Sequence, residues 1–265
     1  MKFINEVIRI LEIYGTSYLR GAGYTLVFAL LGTIAGCLIG FAVGIVQTIP
    51  TSERDPKIKR YIVGFVKTIL RAYVEVFRGT PMIVQAVFIY YGGRYLGVTM
   101  DVYTASFFVV SINTGAYMAE TVRGGILSID PGQTEGCMAI GMTHFQTMLY
   151  VIFPQTLRNI IPQIGNNFII NIKDTSVLSI ISFPDLFYVH KSVAGNMYTY
   201  FESATVVMAI YLTMTLISAK LLRLWESKLD GPDTFDLATT DTLAHTSGLY
   251  RFTHKRRGWT NERHT

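Results

Sequence analysis

The sequence predicts an all-α integral membrane protein with five transmembrane helices. Half of its 265 residues are apolar and only 15% are charged, a smaller charged share than soluble domains carry. The apolar residues also lie in long runs, and a helix needs about 20 predominantly apolar residues to cross a bilayer. The two cysteines, Cys37 and Cys137, indicate neither a disulfide nor a metal site, because one lies in an apolar run and the other in a polar segment.

Five segments supply the predicted spans: about 22–48, 58–96, 102–118, 160–183 and 201–222. In the second of these, 58–77 is predicted to form an amphipathic helix at the cytoplasmic face that leads into the span. The first carries a glycine at every fourth position from Gly32 to Gly44, a stripe that lets another helix approach closely in lipid. The second is interrupted by Gly79-Thr80-Pro81, beside which Arg78 is placed either to bond the freed carbonyls or to reach the membrane interface.

The segments outside these spans differ in character. Residues 1–20 are predicted to form an amphipathic helix at the membrane surface, because their apolar residues recur at helical spacing between Glu6, Arg9 and Glu12. Three further parts complete the predicted organisation: a membrane domain over 21–225, a polar outer loop within it over 184–199, and a polar, basic tail over 226–265. For the tail, contact with lipid headgroups and disorder are both open.

The distribution of lysine and arginine predicts the orientation. Seventeen of these residues fall on one side of the predicted spans and five on the other, and the richer side of a membrane protein is cytoplasmic. The amino terminus is therefore predicted outside. The carboxyl terminus and the polar segment 130–158 are predicted in the cytoplasm.

The polar segment 130–158 begins with a short helix that has explicit start and stop signals. Asp130 is a typical helix cap before Pro131, and Gln133 is placed as its partner in a capping box. Gly141 suits the left-handed position that ends such a helix. The first helix is therefore predicted to run from 131 to about 140.

A second short helix follows in the same segment. Thr143 is predicted to cap it, with Gln146 three residues later as the partner in a second capping box. Pro154 is predicted to break or kink this helix, because proline has no backbone N–H to donate. Two capped helices joined at a glycine on the cytoplasmic face are typical of a docking element.

The same segment carries a family resemblance. The spacing Glu135-Gly136-Cys137, then Gly141, then Val151-x-Phe153-Pro154 resembles the EAA loop of ATP-binding-cassette (ABC) importer permeases. Four further motifs resemble the polar amino-acid uptake subgroup, similar to the histidine and glutamine permeases: Phe77-Arg78-Gly79-Thr80-Pro81, Ala119-Glu120-x-x-Arg123-Gly124-Gly125, Ile129-Asp130-x-Gly132-Gln133 and Lys173-Asp174-Thr175-Ser176. The resemblance covers about residues 15–225, and five motifs in the family's order make it specific.

This resemblance implies the type I importer permease (MetI-like) architecture and a location in the bacterial inner (plasma) membrane. It implies a polar amino-acid substrate, a dimer with itself or with a similar permease, two ATPase subunits inside, and a solute-binding protein outside that meets the outer loop. It also implies that one set of residues couples the chain to the ATPase: Glu135, Gly136, Cys137, Gly141, Met142, Thr143 and Pro154.

The chain itself is not predicted to be an enzyme. It contains no Gly-x-x-x-x-Gly-Lys-Ser/Thr loop to hold nucleotide phosphates, and no nucleophile-elbow, metalloprotease or kinase signature. No cofactor or metal is therefore expected on this chain, and ATP and Mg²⁺ are expected on the partner ATPase.

The fourth predicted span carries the candidates for substrate contact. Asp174 can accept from the ammonium of an amino acid, and four neighbours can serve its carboxylate: Lys173, Asn171, Thr175 and Ser176. Charges at membrane depth are costly and usually face a cavity or a partner, so two alternatives stay open. Lys173 and Asp174 could pair with other protein groups, or Asp174 could cap a break in the helix. Asn113, Gln85 and Gln47 are further candidates, although amides in spans also bond neighbouring helices.

A different class of function fits the same residues. In a stand-alone ion-coupled carrier or channel, Asp174 would be the coupling site, and inverted internal repeats would be expected. No such repeat is evident in the sequence. Within the importer hypothesis, glutamine, histidine, arginine, glutamate and cystine all stay open as substrates, as do a homodimer and a heterodimer.

Overall fold

The computed structural model describes residues 2–51 and 55–229, with side chains through residue 225. Every regular element in this part of the chain is helical. The α-helices are α1 (Lys2–Thr48), α2 (Lys57–Gly79), α3 (Met82–Tyr95), α4 (Val102–Leu127), α5 (Pro131–Ala139), α6 (His144–Thr147), α7 (Phe153–Asp174), α8 (Leu186–Met197) and α9 (Tyr200–Leu229). A π-helical turn over Met148–Ile152 joins α6 to α7, and a 3₁₀ segment over Thr175–Ile181 follows α7.

The chain divides into two compact units, Met1–Ser227 and Lys228–Thr265. The first unit contains all of the packed helices described here. Of the predicted tail over 226–265, residues 226–229 belong to α9 and residues 230–265 lie outside the described part of the chain.

The predicted surface helix over residues 1–20 is not a separate element. α1 runs without a break from Lys2 to Thr48, so these residues continue directly into the first predicted span. Ile10 and Tyr18 are fully buried against α8 and α9, where they share a core cluster with Leu186, Val193 and other residues. Burial explains only part of the helical spacing: Val7 and Tyr14 pack against this cluster, whereas Ile4, Ile8 and Leu11 are exposed.

The glycine stripe of α1 packs directly on α4. A β-carbon added at any of the four glycines would come within 2.3–2.8 Å of a side-chain atom of α4, much closer than real β-carbons approach their neighbours. The four α4 residues in these contacts are Val110, Thr114, Met118 and Val122. The predicted close approach is confirmed, and it makes α1 and α4 the central packed pair of the fold.

Pro154 does not end the second helix of the polar segment. The backbone stays helical through the π turn, and Pro154 lies in the first turn of α7. The wider π turn changes the hydrogen-bond register just before Pro154, which lets the helical run continue past a residue that has no N–H to donate. The prediction of a break is therefore wrong. The helical run that starts at His144 continues to Asp174.

The predicted polar outer loop over 184–199 is largely a helix, α8. Asp185 caps it by accepting hydrogen bonds from the backbone N–H groups of Phe187 and Tyr188 at 3.1 and 2.9 Å. Left-handed residues flank the helix, Ser182 before it and Tyr198 at its end. The apolar face of α8 packs on α1 and α9, which is why the segment folds as a helix despite its polar residues.

Two of the described helices are long and apolar enough to cross a membrane, α1 and residues Tyr200–Trp225 of α9. The interruption of the second predicted span is confirmed, since α2 ends at Gly79 and α3 begins at Met82. The count of five spans stays a prediction.

Candidate coupling and translocation sites

The first helix of the polar segment is built as its start and stop signals predict. The Asp130 side chain accepts a hydrogen bond from the backbone N–H of Gly132 at 2.8 Å, and Pro131 is the first helical residue. Gly141 has a φ of +83°, the left-handed conformation expected after the helix. The predicted box partner Gln133 contributes its backbone N–H to the Asp130 carbonyl oxygen rather than a side-chain bond.

The second helix carries the predicted capping box in full. The Gln146 backbone N–H donates to Thr143 Oγ1 at 3.3 Å, and the Thr143 backbone N–H donates to Gln146 Oε1 at 2.8 Å. A cap of this kind contributes about 1 kcal/mol to helix stability. The box fixes the path of a helix that is only four residues long before the π turn.

The outer surface of α5, α6 and the π turn is unusually apolar. Five large apolar side chains there are between 45% and 79% exposed: Met138, Ile140, Phe145, Leu149 and Tyr150. The inner surface is anchored by a core cluster that joins α4, α7 and the π turn through Val122, Ile126, Ile152 and Ile160. Contiguous exposed apolar patches on an anchored element mark interaction sites.

Most of the predicted coupling residues lie on this exposed surface. Glu135, Gly136, Gly141, Thr143 and Pro154 are exposed, and a side chain added at Gly136 would meet open space. Glu135 has no ion-pair partner among the described residues. Two members of the set are not exposed: Cys137 is buried and Met142 is partly buried.

The predicted substrate residues do not form one cluster. Gln85 Nε2 donates to the carbonyl oxygens of Phe77 and Thr80, each at 2.9 Å, across the α2–α3 break. Asn113 Nδ2 donates to the same Phe77 oxygen at 3.2 Å and to Gln85 Oε1 at 3.0 Å. These two amides therefore satisfy the carbonyls freed by the break. Arg78 does not take that role.

Two more of the predicted residues are also held inside the bundle. Asn171 Nδ2 donates to Thr33 Oγ1 at 2.8 Å and to Thr114 Oγ1 at 3.0 Å, and so ties α7 to α1 and α4. Thr175 is fully buried, and its hydroxyl donates to the Ile172 carbonyl oxygen. Their side chains hold helices together.

Lys173 and Ser176 line a cavity of about 480 Å³ between α7, α8 and α9. The other lining residues are mostly apolar and aromatic: Phe187, His190, Ala204, Val207, Met208, Tyr211, Leu212 and Thr215. Asp174 directly follows Lys173 in the chain and is half-buried, but it does not line the cavity. Neither Lys173 nor Asp174 has an ion-pair partner in the described part of the chain, so the alternative in which they pair with other described groups is not observed.

A second cavity, of about 470 Å³, was not anticipated from the sequence. It lies between α1, α2 and α4 and is lined by Gln47, Lys67, Arg71, Val74, Glu75, Arg78, Glu120 and Arg123. One signal for it is present in the sequence, since 67, 71 and 75 are four residues apart and share one face of α2. The sequence by itself predicts only that this amphipathic helix lies at the cytoplasmic face.

Glu120 organises the charges at the α4 side of this cavity. Arg123 donates to both of its carboxylate oxygens, with Nε at 3.0 Å, which confirms the local pair that the sequence predicts. Arg78 Nη1 lies 3.9 Å from the same carboxylate, and its guanidinium also sits 5.6 Å from the centre of the Tyr117 ring. The two arginines together neutralise Glu120.

No group of three or more histidine, cysteine or acidic side chains within residues 2–51 and 55–229 is arranged to hold a metal ion.

Comparison with known proteins places the chain in a family. The model of a family described as "Binding-protein-dependent transport system inner membrane component" matches residues 40–229. The chain is 33% identical over 213 residues to the glutamine transport system permease protein GlnP of Escherichia coli (strain K12), covering 80% of this chain and 92% of that one. It is 30% identical over 216 residues to the arginine transport system permease protein ArtQ of Bacillus subtilis (strain 168), covering 81% and 93%.

Solved structures agree with this placement. A crystal structure of an amino acid ABC transporter with histidines contains a chain that is 36% identical, with a TM-score of 0.72 over 82% of this chain and 96% of that one. An inward-facing structure of the MetNI methionine ABC transporter matches with a TM-score of 0.65 at 20% identity, a likeness of fold. The predicted all-helical type I importer architecture is confirmed. The chain belongs to the family of binding-protein-dependent transport system inner membrane components, the permeases of ABC importers.

Proposed function

We propose that this permease carries a polar amino acid through the inner membrane, driven by ATPase subunits that dock on α5 and α6. The named relatives are a glutamine and an arginine permease, and a structural neighbour at 36% identity belongs to an amino acid ABC transporter. The observation that carries the proposal is the exposed apolar surface of two capped helices, fixed to the bundle at the ends of α4 and α7.

This surface has the composition of a docking site. Its five exposed apolar side chains provide area that gains free energy when a partner covers it, at roughly 25 cal/mol per Å². Glu135 adds an exposed carboxylate in the middle of α5, available to a cationic residue of the ATPase. The finer assignment of Glu135, Gly141 and Pro154 to the contact rests on the EAA-like spacing and on their exposure.

Transmission from the docking surface follows from helix continuity. α6, the π turn and α7 form one helical run from His144 to Asp174, which at 1.5 Å per residue is about 45 Å long. The run starts at the docking surface and ends beside the cavity that Lys173 lines. Closure of an ATPase dimer would therefore tilt a rod whose far end borders the proposed substrate path.

Members of this family are the membrane components of binding-protein-dependent transport systems, and their general partners are an ATPase and a binding protein. We assign ATP and Mg²⁺ to the ATPase and none to this chain, because the chain has no phosphate-binding loop. With the amino terminus outside, the binding protein would meet the end of α8 and the start of α9, where Tyr198, Tyr200 and Phe201 are exposed. A second permease chain, identical or similar, would complete the pathway.

Within the proposed path, Asp174 serves the substrate ammonium and Lys173 its carboxylate. Both lie at the end of α7 without an ion-pair partner among the described residues, and Lys173 faces a cavity together with Ser176. Charges at membrane depth that are unpaired within the protein are suited to a charged ligand. Asn171, Thr175, Asn113 and Gln85 support this region structurally through the bonds described above.

The test is uptake into proteoliposomes that contain the permease, with and without its ATPase and binding protein. Glu135→Arg is expected to lower the rate of ATP-dependent amino-acid uptake at least tenfold. Glu12→Arg is the matched control, since Glu12 is also exposed but lies on the opposite end of the bundle, near the start of α1. Assembly of each variant is checked by size-exclusion chromatography.

Two results would count against the proposal. Uptake by this chain alone, driven by an ion gradient and indifferent to ATP, would identify a stand-alone carrier. Equal losses in Glu135→Arg and Glu12→Arg would remove the docking surface from the mechanism.

A further inference from the structure

We propose that the charged cavity between α1, α2 and α4 is a second binding site for the transported amino acid, on the cytoplasmic side of the α2–α3 break. In it, Arg71 binds the substrate carboxylate and Glu75 binds its ammonium. The inference rests on the proposed function, because it assumes that the permease carries amino acids.

The cavity has the size and lining of a small-molecule site. Its volume of about 470 Å³ falls within the range of about 300–1,000 Å³ that such sites occupy. Six of its eight lining residues are charged, four of them basic and two acidic. A net positive lining at the inner half of a membrane domain needs an anionic group or water to solvate it.

Most of these charges are already occupied. Glu120 is shared by Arg123 and Arg78, and the Lys67 ammonium donates to the Ile49 carbonyl oxygen at 2.5 Å, where it ties α2 to the end of α1. Lys67 therefore has a structural role. The side chains of Glu120, Arg123, Arg78 and Lys67 are therefore held in place by protein partners.

Arg71 and Glu75 are the two charges that remain. Both are exposed, both line the cavity, and neither has an ion-pair partner among the described residues. They are one helical turn apart on the same face of α2, yet they do not pair with each other. Neighbouring side chains of this spacing have β-carbons about 5–6 Å apart.

This arrangement matches the part that all amino acids share. A guanidinium binds a carboxylate through two parallel hydrogen bonds, and a carboxylate accepts from an ammonium. In an amino acid these two groups are attached to one carbon, so a cation and an anion one turn apart can each take one of them. The rest of the cavity, including Gln47 of α1, is left for the substrate side chain.

The site is separate from the cavity that Lys173 lines. The two cavities share no lining residue, and they involve different helices, α1, α2 and α4 in one case and α7 to α9 in the other. The amides of Gln85 and Asn113 close the α2–α3 break near Phe77, which is two helical residues before Gly79.

The test measures equilibrium binding of radiolabelled L-glutamine and L-arginine to the permease–ATPase complex in nanodiscs, without nucleotide and without binding protein. Arg71→Gln and Glu75→Gln are each expected to weaken binding about tenfold or more. Arg60→Gln is the matched control, because Arg60 is an exposed cation of α2 that does not line the cavity. It is expected to bind as the unmodified protein does.

Modified ligands separate a direct contact from a structural effect. Glutamine methyl ester, which lacks the carboxylate, should bind weakly to the unmodified complex and should lose nothing further in Arg71→Gln. N-acetylglutamine, which lacks the ammonium, should show the same pattern with Glu75→Gln. All of these comparisons are made in a Lys173→Gln background, so that the first proposed site does not contribute its own carboxylate contact to the measured binding.

Several outcomes would overturn the inference. They are unchanged binding in both variants, an equal loss in Arg60→Gln, or equal affinity of the unmodified complex for glutamine and for both modified ligands. If ATP-dependent uptake persists while Arg71→Gln binds normally, only this site is refuted. If the unmodified assembly neither binds nor transports any amino acid, the proposed function itself has failed.

Discussion

Replacement of Gly40 by alanine is expected to force α1 and α4 apart. A β-carbon at residue 40 would lie 2.3 Å from the β-carbon of Met118 and 2.8 Å from the backbone nitrogen of Ala119. Favourable carbon–carbon contact occurs at about 3.5–4.0 Å, so the helices would have to separate locally by about 1 Å. Backbone atoms cannot rotate away as the end of a side chain can, and the neighbouring glycine contacts would open as well.

The cost follows from this overlap. Overpacking a close-packed interior destabilises a protein by roughly 1–3 kcal/mol, and contact with backbone atoms places Gly40→Ala at about 3 kcal/mol. Gly23→Ala is the matched control in the same helix, because a β-carbon there meets nothing within 4 Å. Alanine at that position is expected to be neutral or to stabilise the helix by up to about 1 kcal/mol.

The assay is reversible denaturation of the detergent-solubilised permease, followed by circular dichroism, with all variants in the same detergent. We expect the unfolding midpoint of Gly40→Ala to fall well below that of the unmodified chain, while Gly23→Ala stays level or rises. Equal midpoints for the two variants would refute the reasoning, because they would show that the glycine stripe is not a close contact in the folded protein.

Two further predictions concern buried polar groups. Asn171→Leu removes the hydrogen bonds to Thr33 and Thr114 and is expected to lower the free energy of unfolding by about 2 kcal/mol. The control Asn166→Leu replaces an exposed amide of the same helix and should change the free energy of unfolding little. Equal free energies of unfolding for the two variants would contradict this prediction. Burial raises the pKa of the Asp185 carboxyl to about 6, so the folded protein holds this proton more tightly than the unfolded chain does. The resulting stability is complete below about pH 4 and is lost as the pH rises through about 6, on the order of 3 kcal/mol in all. Asp185→Asn keeps an oxygen for the α8 cap and should remove this dependence when unfolding is measured from pH 4 to pH 7; a slope that survives the substitution would show that another group causes it.

Signals that act within one helical turn could be predicted from the sequence. The caps at Asp130 and Thr143 and the left-handed Gly141 depend on residues two or three positions away, and all three are found in the structure. The glycine stripe was predictable for a similar reason, because its four-residue period marks one face of a helix. The identity of the facing helix was not contained in that period.

Features that depend on distant partners could not be predicted in this way. The bond from Asn171 to Thr33 joins residues 138 positions apart, and no local pattern distinguishes such an amide from one that contacts substrate. Pro154 carries the usual signal for a helix break, and the π turn before it overrides that signal. The helix α8 could have been found, because a capping Asp185 precedes apolar residues at helical spacing, but its polar residues favoured a loop.

The packing contacts assign different mechanical roles to the helices in the proposed cycle. α1 and α4 cannot slide past each other, since side chains of α4 already fill the space above each glycine of the stripe. The run from α6 to α7 is attached differently: its long amino-terminal arm carries the proposed docking surface, and Asn171 near the other end is hydrogen-bonded to one threonine of α1 and one of α4. A force on α6 would therefore tilt this run about Asn171 and reshape the cavity beside Lys173.

The cavity that contains Arg71 is lined only by α1, α2 and α4, so it would keep its shape through the same movement. On this basis we expect the first proposed site to change its affinity during the cycle and the second proposed site to keep a constant affinity.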